Sequence, residues 1–345
     1  MLQASSLAHP SRPRAVMLWL FAVAALIVLM VIVGGITRLT ESGLSITEWK
    51  PISGVIPPLT DAQWQAEFEQ YKRIPQFTEN NSSMTLAGFK GIFFWEYSHR
   101  LLGRLIGLAF ALPLLWFWVR KRVPPGFGGR LLGLLALGGL QGAIGWWMVA
   151  SGLSVRTDVS HERLAIHLLT ALVLLVGMIW TALDLRLLLT NRLAPRARLR
   201  PIAAIALLLL LIQIMYGAFT AGLHAGYAFS SWPLMGDAFF PAGVPMVDPA
   251  WRNAVDNPVV VQFIHRWFAF VAAAGLLVLA ISAARRGAPR TATALIGLLV
   301  LQILLGISTL LSGVEIGVAI AHQANAALTL IAATCAAHAI GRTAS

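Results

Sequence analysis

QGAIGWWMVASGL, residues 141–153, returns as QILLGISTLLSGV at residues 302–314, with Gln141, Gly145 and Gly152 matched by Gln302, Gly306 and Gly313. Both copies lie in apolar stretches free of charge, so a reading of one as a membrane-crossing helix carries over to the other. Working outward, further charge-free intervals complete a set at 15–37, 105–119, 131–155, 164–183, 201–223, 267–284, 291–314 and 316–341. Most reach the roughly 20 residues that a helix needs to cross the hydrocarbon layer. The second is short and extends backward through Arg104, Arg100 and His99 toward Trp95. Of 345 residues, 58% are hydrophobic and 12% charged, which excludes an ordinary soluble domain and makes the lipid bilayer the expected solvent. The expected fold is all-α and integral to the membrane, with eight transmembrane helices.

The repeat continues beyond these two segments. GGITRLTESGL from Gly34 lines up with GAFTAGLHAGY from Gly217, placing Thr37 over Thr220 and Gly43 over Gly226, and Trp49-Lys50-Pro51 is echoed by Trp232-Pro233. EYSHRLLGR carries His99-Arg100 where FIHRWFAF carries His265-Arg266, and AIHLLTAL carries His167 where AIAHQANAAL carries His322. Two tandem pseudo-symmetric four-helix bundles are expected, residues 1–195 with a long outer loop at about 38–95, and residues 196–345. Each half has an even number of spans, so the second enters the membrane in the orientation of the first.

A formal net charge of +12 raises the question of nucleic acid, and the placement of the charges answers it. Fifteen of the 26 Lys and Arg fall at Arg12 and Arg14, in 120–130, 186–200 and 285–290, and at Arg342; of the 14 acidic residues only Asp184 lies near them. An even number of spans puts these segments on one side, and the excess of basic residues makes that side cytoplasmic, with both termini inside. No soluble basic domain remains for nucleic acid. The first apolar stretch is long enough to span and is expected to stay as a helix rather than be cleaved. The one cysteine, Cys335, excludes an internal disulfide and reads as a packing residue. Of the outward loops, 38–95 is broken by Pro51, Pro57, Pro58 and Pro75 and holds an amphipathic run near 61–73. The loop at about 223–258 is rich in Pro, Gly and aromatics, which favours packing at the membrane surface.

The histidines carry the chemistry. His99, His167, His265 and His322 lie near the outer ends of the even-numbered spans, His99 and His167 on the second and fourth helices of one half, His265 and His322 on those of the other. Second and fourth helices are diagonal in an up-down bundle, so each pair can face across the core and hold a flat iron porphyrin between two imidazoles. Gly103, Gly107, Gly142, Gly145, Gly217 and Gly306 leave room for helices to approach each other or the ring. A single histidine in a span is equally well a core residue bonded to a neighbouring helix; four at repeat-related positions favour metal ligation. His9 and His338 read as incidental, and His161 and His224 as surface or loop residues. For Arg100 and Arg266 two readings stand, pairing with heme propionates or with lipid phosphate. Glu96 lies three residues before His99, over the same face of the helix, where the second half has Gln262. It is either a catalytic carboxylate or a solvated one. Gln141 and Gln302 read as interhelical hydrogen-bonding residues.

Together, VGGITRLTESGLSITEWKPISGVIPP, EYSHRLLGRLIG, QGAIGWWMVASGL, RLAIHLLTAL, VQFIHRWFAF and AHQANAALTL make the chain resemble the heme A synthase family over nearly its whole length. The resemblance implies an enzyme of the bacterial inner membrane that oxidises a ring methyl of heme O to a formyl group, through a hydroxymethyl intermediate, giving heme A for cytochrome oxidase. It implies that His99 and His167 take the substrate heme, that His265 and His322 hold a heme b, that both sites lie toward the periplasm, and that Glu96 is the catalytic carboxylate. An electron acceptor that the sequence does not identify, a heme O synthase handing over substrate, and a homo-oligomer are the further partners expected. Some relatives carry a cysteine pair in the first outward loop; this chain has none there, like the mitochondrial and alphaproteobacterial branch. Two alternatives are weighed. A di-heme b-type electron-transfer subunit would stack its hemes at opposite depths, whereas these pairs share one depth. A transporter would gather polar groups at the midplane, where this chain has almost none.

Overall fold

The computed structural model describes residues 12–342; His9 lies outside them. Its α-helices are α1 (Pro13–Leu39), α2 (Asp61–Tyr71), α3 (Leu86–Val119), α4 (Gly128–Ala150), α5 (His161–Thr190), α6 (Pro201–Gly222), α7 (Asn253–Asp256), α8 (Pro258–Arg285), α9 (Pro289–Leu311) and α10 (Ile316–Gly341). All but α2 and α7 are long and apolar enough to cross a membrane, so the eight expected spans are present. Among the described residues there is no β-strand, only an isolated bridge between Met235 and Ala238.

Local chemistry starts these helices. Proline occupies the first turn of α1, α6, α8 and α9, where no backbone N–H is needed. Thr60 and Gln63 form a reciprocal capping box on α2, which confirms the amphipathic run in the first loop. Glu315 caps α10 by accepting from the N–H groups of Gly317 and Val318.

One boundary departs from the hydropathy reading. α3 begins at Leu86, well before Trp95, with Thr85 Oγ1 accepting from Gly88 N at 3.3 Å. Its first turns are held by the loop rather than by lipid. Phe89 and Phe93 bury against Phe68 and Tyr71 of α2, a contact that a charge-based reading of spans does not see.

The helices share their burden unequally. α1 packs on α3 and α5, and α4 on α5; α6 packs on α8, α8 on α9, and α9 on α10. Between the halves, α5 meets α6 and α10 and α1 meets α10, and this central group supplies most of the core, including Leu20, Leu175, Ala203, Leu330 and Ala337. Burial of such side chains against helices rather than lipid rests on close packing, since lipid tails are as apolar as they are.

Candidate functional site

Depth follows from the helix limits. Between 19 and 23 residues separate His99, His167, His265 and His322 from the far ends of α3, α5, α8 and α10. At about 1.5 Å per residue this is ~30 Å, one hydrocarbon thickness, so the four imidazoles share one level at the loop-rich end.

Each imidazole rests against a helical glycine. A Cβ placed on Gly34 would stand 3.1 Å from Cε1 of His99, on Gly145 2.9 Å from that of His167, on Gly217 3.1 Å from that of His265, and on Gly306 3.0 Å from that of His322. Any larger residue would push the ring from its place. Gly145, Gly217 and Gly306 thus serve as expected; at Gly107 and Gly142 nothing lies within 4 Å of a Cβ, so these two leave open space and no close helix contact.

Glutamine holds three of the four rings from behind. Gln141 Nε2 lies 3.1 Å from His167 Nδ1 and donates to the His167 carbonyl at 2.9 Å; Gln213 does the same to His265 at 3.1 and 3.0 Å. Gln302 Nε2 lies 3.2 Å from His322 Nδ1, and its Oε1 accepts from Asn325 at 2.7 Å. The carbonyl oxygens of Gln141 and Gln213 are buried without a partner. The shared Nε2 ties each imidazole to the carbonyl of its own residue and so fixes the orientation of the ring. Gln213 was not legible in the sequence, because Met30 stands at its place in the other half. His99 Nδ1 is accordingly buried with no partner.

These features fit heme. Neutral nitrogen donors in pairs, glycine cradles that exclude any side chain, and amides that fix the rings from behind are what two axial imidazoles require.

Glu96 is not a solvated carboxylate. It is 2% exposed, and Oε2 accepts from Ser45 Oγ and Ile46 N, both at 2.7 Å, while Oε1 accepts from Arg100 Nε at 3.0 Å and Nη2 at 2.6 Å. Its acceptor positions are filled. Gln262, at the equivalent place, donates to Phe229 O at 2.9 Å instead.

The two arginines bind loop backbone in a symmetric way. Arg100 Nη2 donates to Ile46 O at 2.7 Å and Nη1 to Glu48 O at 3.0 Å; Arg266 Nη2 donates to Phe229 O at 2.7 Å and Nη1 to Ser231 O at 2.8 Å. Ile46 and Phe229, and Glu48 and Ser231, are partners in the alignment that sets Gly43 over Gly226. The repeat therefore extends into the loops, where Arg100 spends two of its hydrogen bonds, its other two going to Glu96.

Three histidines outside the pairs hold the two halves together, and two of them correct the sequence reading. His338 is not incidental: Nε2 lies 2.9 Å from Asp184 Oδ1, both buried, while Arg130 donates to Asp184 Oδ2 at 2.6 Å. His161 is not a surface residue. It is 5% exposed, edge-on to Phe219, with Nε2 3.3 Å from Asp256. His224 is half-exposed, as a loop residue should be, and lies 2.8 Å from Arg38 Nη2 and 3.2 Å from Asp158 Oδ2. Cys335 is a free thiol packed beside the core, as expected.

Residues 17–334 match the COX15-CtaA family, described as cytochrome oxidase assembly protein. The chain is 54% identical to the heme A synthase of Sphingopyxis alaskensis, over 99% of this chain and 96% of that one. It is 55% identical to that of Rhizorhabdus wittichii, over 98% and 99%, and 50% identical to that of Novosphingobium aromaticivorans, over 94% of each.

Proposed function

The chain belongs to the COX15-CtaA family of cytochrome oxidase assembly proteins, and from that premise we propose how its two halves divide the work of a heme A synthase. The activity is oxidation of heme O to heme A, an oxidoreductase reaction in a multi-pass membrane protein. The division into bundles at 1–195 and 196–345, the cytoplasmic termini, the periplasmic level of the imidazoles and the inner-membrane location belong to our reading. They are supported by the basic segments at one end and the loops at the other.

In this reading His99 and His167 receive heme O, and His265 and His322 hold a resident heme b. The single observation that carries the assignment is an asymmetry in chemistry at equivalent places: a buried carboxylate, Glu96, beside the first pair, and a neutral amide, Gln262, beside the second. A bound heme b would supply one-electron redox capacity to the site. Gly217 and Gly306 keep the rings behind it in register, and Gln213 and Gln302 orient them.

In the first half, the Glu96 carboxylate is fixed one turn from His99 and takes up the proton lost as the substrate methyl is oxidised. Of its four donors, Ser45 is the one that can turn away without moving backbone or breaking the ion pair with Arg100, so the proton enters at Oε2. Arg100 ties this carboxylate to the loop at 46–48 and keeps both in place. The electron acceptor, direct transfer from a heme O synthase and a homo-oligomer remain part of the proposal. Pigments extracted from cells that make heme O test the activity: heme A should appear when the chain is expressed, and unchanged heme O with a bound heme b would favour an electron carrier.

A further inference from the structure

The first half is open along one seam that the second half closes. α8 packs along α9 and also touches α10, whereas α3 meets α4 sparsely and hardly meets α5. The cause lies in side-chain size. Through the repeat, Gly107 and Ala111 of α3 correspond to Ala273 and Leu277 of α8, and Gly138, Gly139 and Gly142 of α4 correspond to Leu299, Val300 and Ile303 of α9. The second half is filled where the first is bare.

These residues line one seam. Arg100 of α3 lies over the ring of Trp146 of α4 at 5.7 Å, which marks the line on each helix that faces the other. At about 100° per residue, Gly107 falls about 20° from the Arg100 line, and Gly139 and Gly142 fall about 20° and 40° to either side of the Trp146 line. Gly107 is seven residues below Arg100 and Gly139 seven below Trp146, so they stand at one depth, about 10 Å inside the rim. A Cβ on Gly107, Gly139 or Gly142 would meet nothing within 4 Å.

The slot has two openings. Inward it reaches the imidazoles: Gly142 lies beside Gln141 and one turn from Gly145, the two residues that touch His167, and the buried Nδ1 of His99 has no hydrogen-bond partner. Outward it reaches the exposed Leu105, Leu108 and Leu140, on surface that faces lipid.

We propose that the slot between α3 and α4 admits heme O sideways from the bilayer and binds its isoprenoid tail, with Gly107, Gly139 and Gly142 selecting the tailed substrate. The proposal rests on the reading that the first half takes heme O. A slender, methyl-branched apolar chain suits a groove with apolar walls and no charged side chain at the depth of the glycines, and the porphyrin end is then drawn to the imidazoles. In the second half α8 packs along α9 and Ile303 stands in place of Gly142, which suits a heme that stays.

The test copies α9 into α4. The Gly139→Val, Gly142→Ile double variant adds side chains to open space, so the helices need not move. In protein purified from cells that make heme O, extracted heme O should fall at least about tenfold against the wild type, the loss expected from overfilling a binding groove, while heme b per chain stays unchanged. Heme O at the wild-type level in the double variant overturns the slot. If the double variant also loses heme b, the single Gly142→Ala variant reads the same ratio, with a fall of about twofold expected and no fall overturning the slot. His99→Ala separates the two readings: heme O retained there sinks the assignment of substrate to the first half, whereas heme O lost there but kept in the double variant sinks the slot alone.

Discussion

Glu96 and Arg100, one turn apart on α3, are joined by two hydrogen bonds, from Arg100 Nε at 3.0 Å and Nη2 at 2.6 Å. Gln262 and Arg266 stand at the same places on α8, where both donate to loop carbonyls instead. Replacing Glu96 by Gln makes the first half resemble the second. The expected outcome is wild-type heme content and heme A formation lowered about 100-fold, the scale of a lost proton acceptor, read by pigment extraction. Normal heme A output would remove Glu96 from the mechanism.

The glycine cradles predict a half-specific loss. In Gly306→Val the new side chain enters the space of the His322 ring, whose Cε1 would lie 3.0 Å from the Cβ alone. Overfilling of this kind costs about 1–3 kcal/mol, so heme b occupancy should fall about tenfold or more in purified protein while Glu96 and its half are untouched. Gly34→Val should spare heme b and lose heme O.

The glutamines behind the rings tune rather than bind. Gln213→Leu leaves His265 Nδ1 without the amide that lies 3.1 Å from it. Heme b affinity should fall about 10- to 100-fold and the midpoint potential should shift, as for other outer partners of axial histidines. An unchanged potential in a redox titration would show that Gln213 only packs.

Asp158, in the loop before α5, has its carboxyl held below the ordinary value of 3.8, first by its hydrogen bond with His224 and then by the Arg38 charge, against a cost of burial. A lowered value in the folded state means that the stabilisation is complete above the unfolded value and is lost as pH falls through the folded one. The melting-temperature gap between wild type and Asp158→Asn should therefore be steady from neutral pH down to about 4 and close below it. A gap that persists unchanged down to about pH 2 would show that this carboxylate does not carry the stabilisation.

At the opposite end, Asp184 accepts from Arg130, His338 and Ala197 N. Asp184→Ala strands a buried imidazole and a guanidinium and should cost about 3 kcal/mol of stability, seen as a lower melting temperature in detergent. A melting temperature equal to wild type would mean that this contact does not hold α5 to α10.

Much of this was legible before any coordinates. Charge-free intervals counted the spans, and the repeat set the four histidines at equivalent places. What was lost had physical causes. The early start of α3 depends on Phe89 and Phe93 meeting α2, a contact outside the lipid that hydropathy does not report. Gln213 escaped because its repeat partner is Met30, and His338 because its partner Asp184 lies on another helix in the other half. Gly142 was read as leaving room for a helix or the ring, and the space beside it is open; Gly139, which shares that space, was not singled out.

The most direct measurement is the heme content and low-temperature spectrum of four alanine variants, at His99, His167, His265 and His322, purified from cells that make heme b but no heme O. The account predicts one low-spin heme b per chain in the wild type, kept in His99→Ala and His167→Ala and lost in His265→Ala and His322→Ala. Heme b retained in both second-half variants, or lost on changing His99 or His167, would contradict it.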